Sequence, residues 1–166
     1  MHSTLYWIDA PGALRLAIMA RPRAGDWLED EVAHWQRSGV GVVVSLLERE
    51  EVEDLELQRE AALCVANGID FRSFPICDRG LPADTREARR FAASVAAAGK
   101  PVAIHCRAGI GRSSLMAAAM LVGDGMDPAA ALRAIGTARG LPIPDTDAQR
   151  DWVLALGHDM GGDRNG

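Results

Sequence analysis

Residues 101–115 read PVAIHCRAGIGRSSL, and this stretch decides the fold. Val102, Ala103 and Ile104 are small and apolar, as a parallel strand covered on both faces requires. The loop from Cys106 to Arg112 holds two glycines, Gly109 and Gly111. Ser113 to Val122 is then apolar and rich in helix formers, interrupted only by Ser114. A cysteine therefore sits where a strand ends and a helix begins. An arginine follows at the first turn of that helix.

This order of elements has a chemical use. A helix N-terminus leaves its first amide hydrogens without backbone partners and carries partial positive charge. A loop whose successive N–H groups point inward makes an anion cradle, and glycines let the backbone turn tightly enough to form one. The same field stabilises a thiolate, and cysteines in such places titrate as low as about 3.5–7.5. Arg112 adds a planar fork that matches phosphate oxygens. Nucleophile and phosphate clamp are expected to converge on one small bowl.

The flanking sequence supplies the rest of the sheet. Leu5–Ile8 and Leu14–Met19 read as two strands of a hairpin across the turn Asp9-Ala10-Pro11-Gly12. Asp26 is placed as the N-cap of a helix to about Arg37, with Trp27, Val32 and Trp35 on a core-facing side. Val40–Leu47, VGVVVSLL, is rich in β-branched residues and reads as a central strand. One helix is expected over 50–67, then a strand over 69–74 and a loop over 75–82. Asp84 or Thr85 caps a helix through Ala97. After the helix that follows the opening loop, Asp127-Pro128 starts a helix to about Ile135. Gly136–Asp145 is read as loop, and Thr146 caps a last helix to about Leu156. Strands alternating with helices predict an α/β fold: a central, mostly parallel sheet flanked by helices on both faces. Ligands of such sheets bind outside the carboxyl ends of the strands, where the loops after Ile104 and Phe74 both lie.

Length and composition bound the possibilities. The 166 residues are expected to form a single catalytic domain over 1–158, with a disordered tail over 159–166. The net charge of −5 gives no reason to expect a nucleic-acid partner. Cys64, Cys77 and Cys106 are too few and too irregularly spaced for a disulfide framework or a zinc site, so no metal or cofactor is expected. The first residues lack a charged n-region and a long apolar core, so no signal peptide is expected. No apolar run approaches the roughly 18–20 residues of a membrane span. A cytoplasmic monomer without a membrane partner is the expectation. A composition rich in Ala, Gly, Arg and Asp and poor in Lys points to a GC-rich bacterial genome.

The run from His105 to Ser113 matches every fixed position of an HCxxGxxRS signature. It resembles the cysteine-dependent protein tyrosine phosphatase superfamily. The chain's size, its VVSLL strand, its FPICDRGLP loop and its PDTDAQRDWV ending look like the dual-specificity branch. The resemblance implies that Cys106 is a nucleophile forming a thiophosphoryl intermediate. Arg107, Ala108, Gly109, Ile110, Gly111 and Arg112 would hold the substrate phosphate, with Arg112 binding two of its oxygens. Ser113 would donate to the cysteine sulfur, and His105 would tune the cysteine without itself supplying a proton. Asp78, in a PIxD pattern, would protonate the leaving oxygen. A turn aspartate before Gly80 is the plainer alternative for Asp78, and Asp84 is a second candidate acid that suits a helix cap better. Gln149 matches the glutamine that orients the hydrolytic water in some relatives; a surface glutamine near a helix start is the plainer alternative. Arg79 and Arg139 would add positive charge to the rim. Asp145 has no assigned role.

The resemblance implies phosphorylated proteins as substrates, carrying phosphotyrosine and also phosphoserine or phosphothreonine, because the long aromatic-bearing recognition loop of tyrosine-only members has no counterpart near the N-terminus. Phosphoinositides or other small phosphate esters are the alternative; Arg107 alone is basic among the variable loop positions. A non-catalytic phosphate-binding module, or a rhodanese-like or arsenate-reductase-like enzyme, would use the same loop differently. Cys77 is read as a small filler, with a reversible disulfide to Cys106 as the alternative, and Cys64 as core.

Overall fold

A computed structural model describes residues 2–162. The five strands are β1 (Tyr6–Trp7), β2 (Leu16–Met19), β3 (Val42–Ser45), β4 (Asp70–Ser73) and β5 (Val102–His105). They lie in the order β1-β2-β5-β3-β4. Only the β1–β2 pair is antiparallel, with Tyr6 opposite Ile18, as the hairpin reading requires. β5 is central and runs parallel to both β2 and β3. Alternation along it divides the core, because successive side chains of a strand point to opposite faces. Val102 and Ile104 join the cluster under α4 (Thr85–Ala97), α5 (Arg112–Gly123), α6 (Pro128–Arg139) and α7 (Asp147–Gly162). Ala103 joins Val43 and Met19 under α1 (Asp26–Arg37) and α3 (Glu60–Ala66).

Every residue of α5 from Arg112 to Val122 is buried, so its apolar character runs all round the helix. It packs on the sheet and against α4, α6 and α7 at once. That burial fixes the helix start, and with it the loop that leaves β5. The carboxyl-end loops are also joined to one another. Leu46 N–H donates to the His105 carbonyl at 3.0 Å, Ile76 N–H to Leu46 at 3.0 Å, and Arg21 N–H to Arg107 at 3.1 Å. No helix among the described residues is long and apolar enough to cross a membrane.

Several elements differ from the sequence reading. The single helix expected over 50–67 is two, α2 (Arg49–Asp54) and α3. The chain turns at Glu56, whose φ of 56° is left-handed, and sends Leu57 into the core at 2% exposure. No glycine or proline marks that break, so its cause is tertiary. Asp26 is the first helical residue, and Gly25, with φ 69°, takes the N-cap. Trp27 does not pack in the core; it is 57% exposed, while Leu28, Val32 and Trp35 are buried. α6 continues through Gly136 to Arg139 and ends on left-handed Gly140. α7 runs past Leu156 to Gly162, and residues 163–166 of the expected tail lie outside the described residues. Asp84 and Asp127 do cap their helices, accepting from Arg86 N–H at 2.8 Å and Ala130 N–H at 3.1 Å.

The two tryptophans of α1 separate these effects. In urea unfolding, Trp35→Ala should cost about 3–5 kcal/mol, whereas Trp27→Ala should stay within about 0.5 kcal/mol. Equal losses would place Trp27 in the core after all.

Candidate active site

The loop between β5 and α5 is built around glycine. Gly109 has φ 72°, and a Cβ there would lie 2.5 Å from the Met19 carbonyl. A Cβ on Gly111 would run into the Asp145 carboxylate. Gly109 therefore excludes any side chain, by conformation and by backbone contact, whereas a side chain at Gly111 would require the Asp145 carboxylate to shift. The loop carbonyls are taken up from outside. Arg139 of α6 donates to the Gly109 carbonyl at 3.1 Å and the Ala108 carbonyl at 3.2 Å. Its guanidinium also lies 4.2 Å from the Tyr6 ring centroid. Ser114 Oγ donates to the Ile110 carbonyl. With the carbonyls so engaged, no N–H of residues 107–111 has a protein acceptor among the described residues. The result is an anion cradle of free amides at the start of a buried helix.

Cys106 is buried at the foot of this cradle, and Ser113 Oγ donates to its sulfur at 3.1 Å. Arg112 is 2% exposed. Its Nη1 and Nη2 reach the two oxygens of Glu51, at 2.6 and 2.9 Å, in a fork-to-fork pair. Nη1 also donates to the Ile76 carbonyl at 2.9 Å, and Nη2 lies 3.2 Å from Asp78 Oδ1. Nε has no protein partner among the described residues. Asp78 is the exposed member of the group, with a side chain 55% accessible on the loop between β4 and α4.

Glu51 lies at N3 of α2 and closes a capping box with Glu48. Burial favours its neutral form. Hydrogen bonds from Arg112 and the Glu48 N–H, the Arg112 charge and the Arg107 hydrogen bond outweigh that and hold its carboxyl below the usual range. Burial likewise works against the Arg112 charge, but Glu51, Cys106 and Asp78 raise it. Arg107 Nε sits 3.3 Å from Glu51, so the single basic variable position of the loop is also paired.

Gln149 is buried, not superficial. Its Oε1 accepts from Asp145 and Thr146 N–H, and its Nε2 donates to the Gly80 carbonyl at 3.1 Å. It therefore ties the start of α7 to the Asp78 loop and sits against Gly111. His105 is buried behind Cys106 and contacts Glu60 of α3 at 2.6 Å. Asp84 is used as a cap, which separates it from the acid role. Arg139 braces the loop through its carbonyls and does not serve as free rim charge. Cys64, Cys77 and Cys106 are free thiols; Cys77 is exposed, and burial together with Glu60 pushes Cys64 up to about 12.

Glu51, Glu60 and the brace from Arg139 are absent from the sequence reading. The acids at 48–53 look like dipole-favoured residues of a helix start, which they also are. Nothing in their spacing says that one of them meets an arginine far along the chain.

The comparisons with known proteins fit this geometry. A family model described as "Polymorphic toxin system, DSP-PTPase phosphatase" matches residues 17–126. The chain belongs to this phosphatase family. No curated protein matches the sequence. Among solved structures, kinase-associated phosphatase with its catalytic-site cysteine replaced by serine superposes with a TM-score of 0.86, at 19% identity over 97% of each chain. The active form of Tk-PTP gives 0.71 at 25% identity, covering 93% of this chain and 96% of its own. PTPMT1 in complex with PI(5)P gives 0.69 at 21% identity, over 95% and 99%. The phosphatase thus shares its α/β fold with dual-specificity-like and protein-tyrosine-phosphatase-like structures.

Because Glu51 binds fewer protons folded than unfolded, its contribution to stability is complete above about pH 4.5 and lost as pH falls below it. Glu51→Gln should lower stability at neutral pH by up to about 3 kcal/mol, since a buried guanidinium loses its counter-charge. It should also flatten the acid limb of a stability-against-pH curve. An unchanged acid limb would remove Glu51 from that role.

Proposed function

We propose that the phosphatase hydrolyses phosphate monoesters through a cysteinyl-phosphate intermediate, acting on phosphotyrosine and also phosphoserine or phosphothreonine in proteins. The observation that carries this reading is the set of unpartnered N–H groups at residues 107–111, wrapped above Cys106 and closed by Arg112. Such donors match the three equatorial oxygens of a phosphoryl group in transfer.

In the first step the Cys106 thiolate attacks phosphorus, the P–O bond to the leaving group breaks, and Asp78 gives its proton to that oxygen. Arg112 supplies Nε–H and the Nη2 hydrogen now facing Asp78. A phosphate dianion competes for that hydrogen, so binding releases Asp78 from the guanidinium and lets it take up from solvent the proton that it passes to the leaving oxygen, while Glu51 keeps the fork in place. In the second step water attacks phosphorus, Asp78 takes a water proton, and the S–P bond breaks to return the thiolate. Ser113 stabilises the departing sulfur. Gln149 orients the water through the amide hydrogen that Gly80 does not use.

Protein phosphoresidues are favoured over polyphosphorylated small molecules because Arg107 is paired with Glu51. The loop thus offers little free positive charge beyond what one phosphate needs.

Hydrolysis of p-nitrophenyl phosphate and of phosphopeptides tests this reading. Turnover should persist in EDTA and vanish in Cys106→Ser. Asp78→Asn should lower kcat by about 10²–10⁴ on phosphoserine peptides, and by less on p-nitrophenyl phosphate, whose leaving group needs less protonation. Phosphate binding without turnover would identify a recognition module. Thiosulfate turnover without ester hydrolysis would identify a sulfur-transfer enzyme.

A further inference from the structure

His105 is fully buried, and both of its ring nitrogens face oxygen atoms. Nδ1 is 3.1 Å from the carbonyl oxygen of Cys106, and Nε2 is 2.6 Å from Glu60 Oε2. A backbone carbonyl cannot donate, so Nδ1 carries a hydrogen. A second proton lies between Nε2 and Glu60, at a separation typical of charge-assisted bonds. If it resides on the ring, the pair is an oriented dipole, positive beside Cys106 and negative on α3.

We propose that Glu60 is a positioning residue that holds His105 as an imidazolium behind Cys106, so that the buried pair favours the Cys106 thiolate. The inference rests on the reading of Cys106 as a thiolate nucleophile. It adds the source of a positive charge held against the Cys106 backbone carbonyl.

The surroundings support the charged form. Burial disfavours an imidazolium here, but the Glu60 carboxylate, its hydrogen bond and the Cys106 carbonyl outweigh it, and His105 titrates above its ordinary value. Arg112 on α5 acts in the opposite sense, and Glu51 on α2 neutralises Arg112 at contact distance. Cys64, on α3 with Glu60, has a thiol pushed up to about 12 and so stays neutral. Glu60 is itself 2% exposed, and His105 and Cys106 are its route to the site. Without Glu60 the imidazolium would be an unpaired ion at 0% exposure, too costly to persist, and it would lose its proton. A neutral ring behind Cys106 disfavours the thiolate, so the thiol must titrate higher.

Glu60→Gln is the informative change, because it keeps a hydrogen-bonding group of the same size and removes only the charge. The pH dependence of Cys106 alkylation by iodoacetamide reads the thiolate directly and needs no substrate. The midpoint should rise by about one unit in Glu60→Gln. In a His105→Asn background the same substitution should cause no further shift, since its effect acts through the ring. Nitrogen NMR of the wild-type ring at neutral pH should show both nitrogens protonated. An unchanged midpoint in folded Glu60→Gln, a shift that persists without His105, or a neutral wild-type ring would each overturn the proposal. The NMR result stands even where Glu60→Gln does not fold. If wild-type Cys106 titrates as an ordinary thiol, it is the nucleophile reading that fails.

Discussion

The pair between Arg112 and Glu51 is the constraint on which the rest of the site depends. Arg112 belongs to a helix that is buried all round, so its guanidinium cannot escape to water. A lone buried cation would cost several kcal/mol. A carboxylate must therefore be delivered to it from elsewhere in the chain, and α2 delivers Glu51 in fork geometry. That requirement sets where α2 lies. The break between α2 and α3 accompanies this arrangement, since Glu51 and Glu60, nine residues apart, would lie on opposite faces of one straight helix. The turn at Glu56, anchored by Leu57 in the core, lets two acids of one segment reach Arg112 and His105, on either side of Cys106.

A second division of labour concerns rigidity. The loop's carbonyls are held from outside by Arg139 and Ser114, and its glycines fit against Met19 and Asp145. The anion cradle is thus preformed, which on the proposed function leaves little ordering to be done on substrate binding. Asp78 differs: its side chain is about half exposed, and among the described residues it is paired with the Arg112 guanidinium alone. Fixed donors and an exposed carboxylate suit the proposed reaction, in which one group first gives a proton and then takes one back.

Much of this was legible in the sequence. The strand–loop–helix pattern of residues 101–115, the β-branched run before it and the capping aspartates predict the elements that carry Cys106, Arg112 and Ser113, and the structure brings these together with Asp78. The legible features are local: spacing, propensity and caps. The features that escaped the reading are tertiary. Glu51 and Glu60 lie at positions where acids suit a helix for local reasons, so their long-range partners leave no trace in the pattern. The break at 55–59 has no glycine or proline to announce it. Trp27 and Trp35 are equally apolar, and only the orientation of α1 on the sheet decides which is covered. Gly136 looked like a helix stop but is tolerated inside α6, where the left-handed end comes four residues later at Gly140.

The central claim is that phosphoryl transfer passes through the Cys106 sulfur. Acid quenching of the enzyme during turnover of a phosphotyrosine peptide, followed by mass spectrometry of the peptide containing residues 101–115, tests it most directly. A phosphoryl group is expected on Cys106 in the wild type, and none on residue 106 in Cys106→Ser. Turnover with no phosphocysteine, or with phosphate found on a different residue, would contradict it.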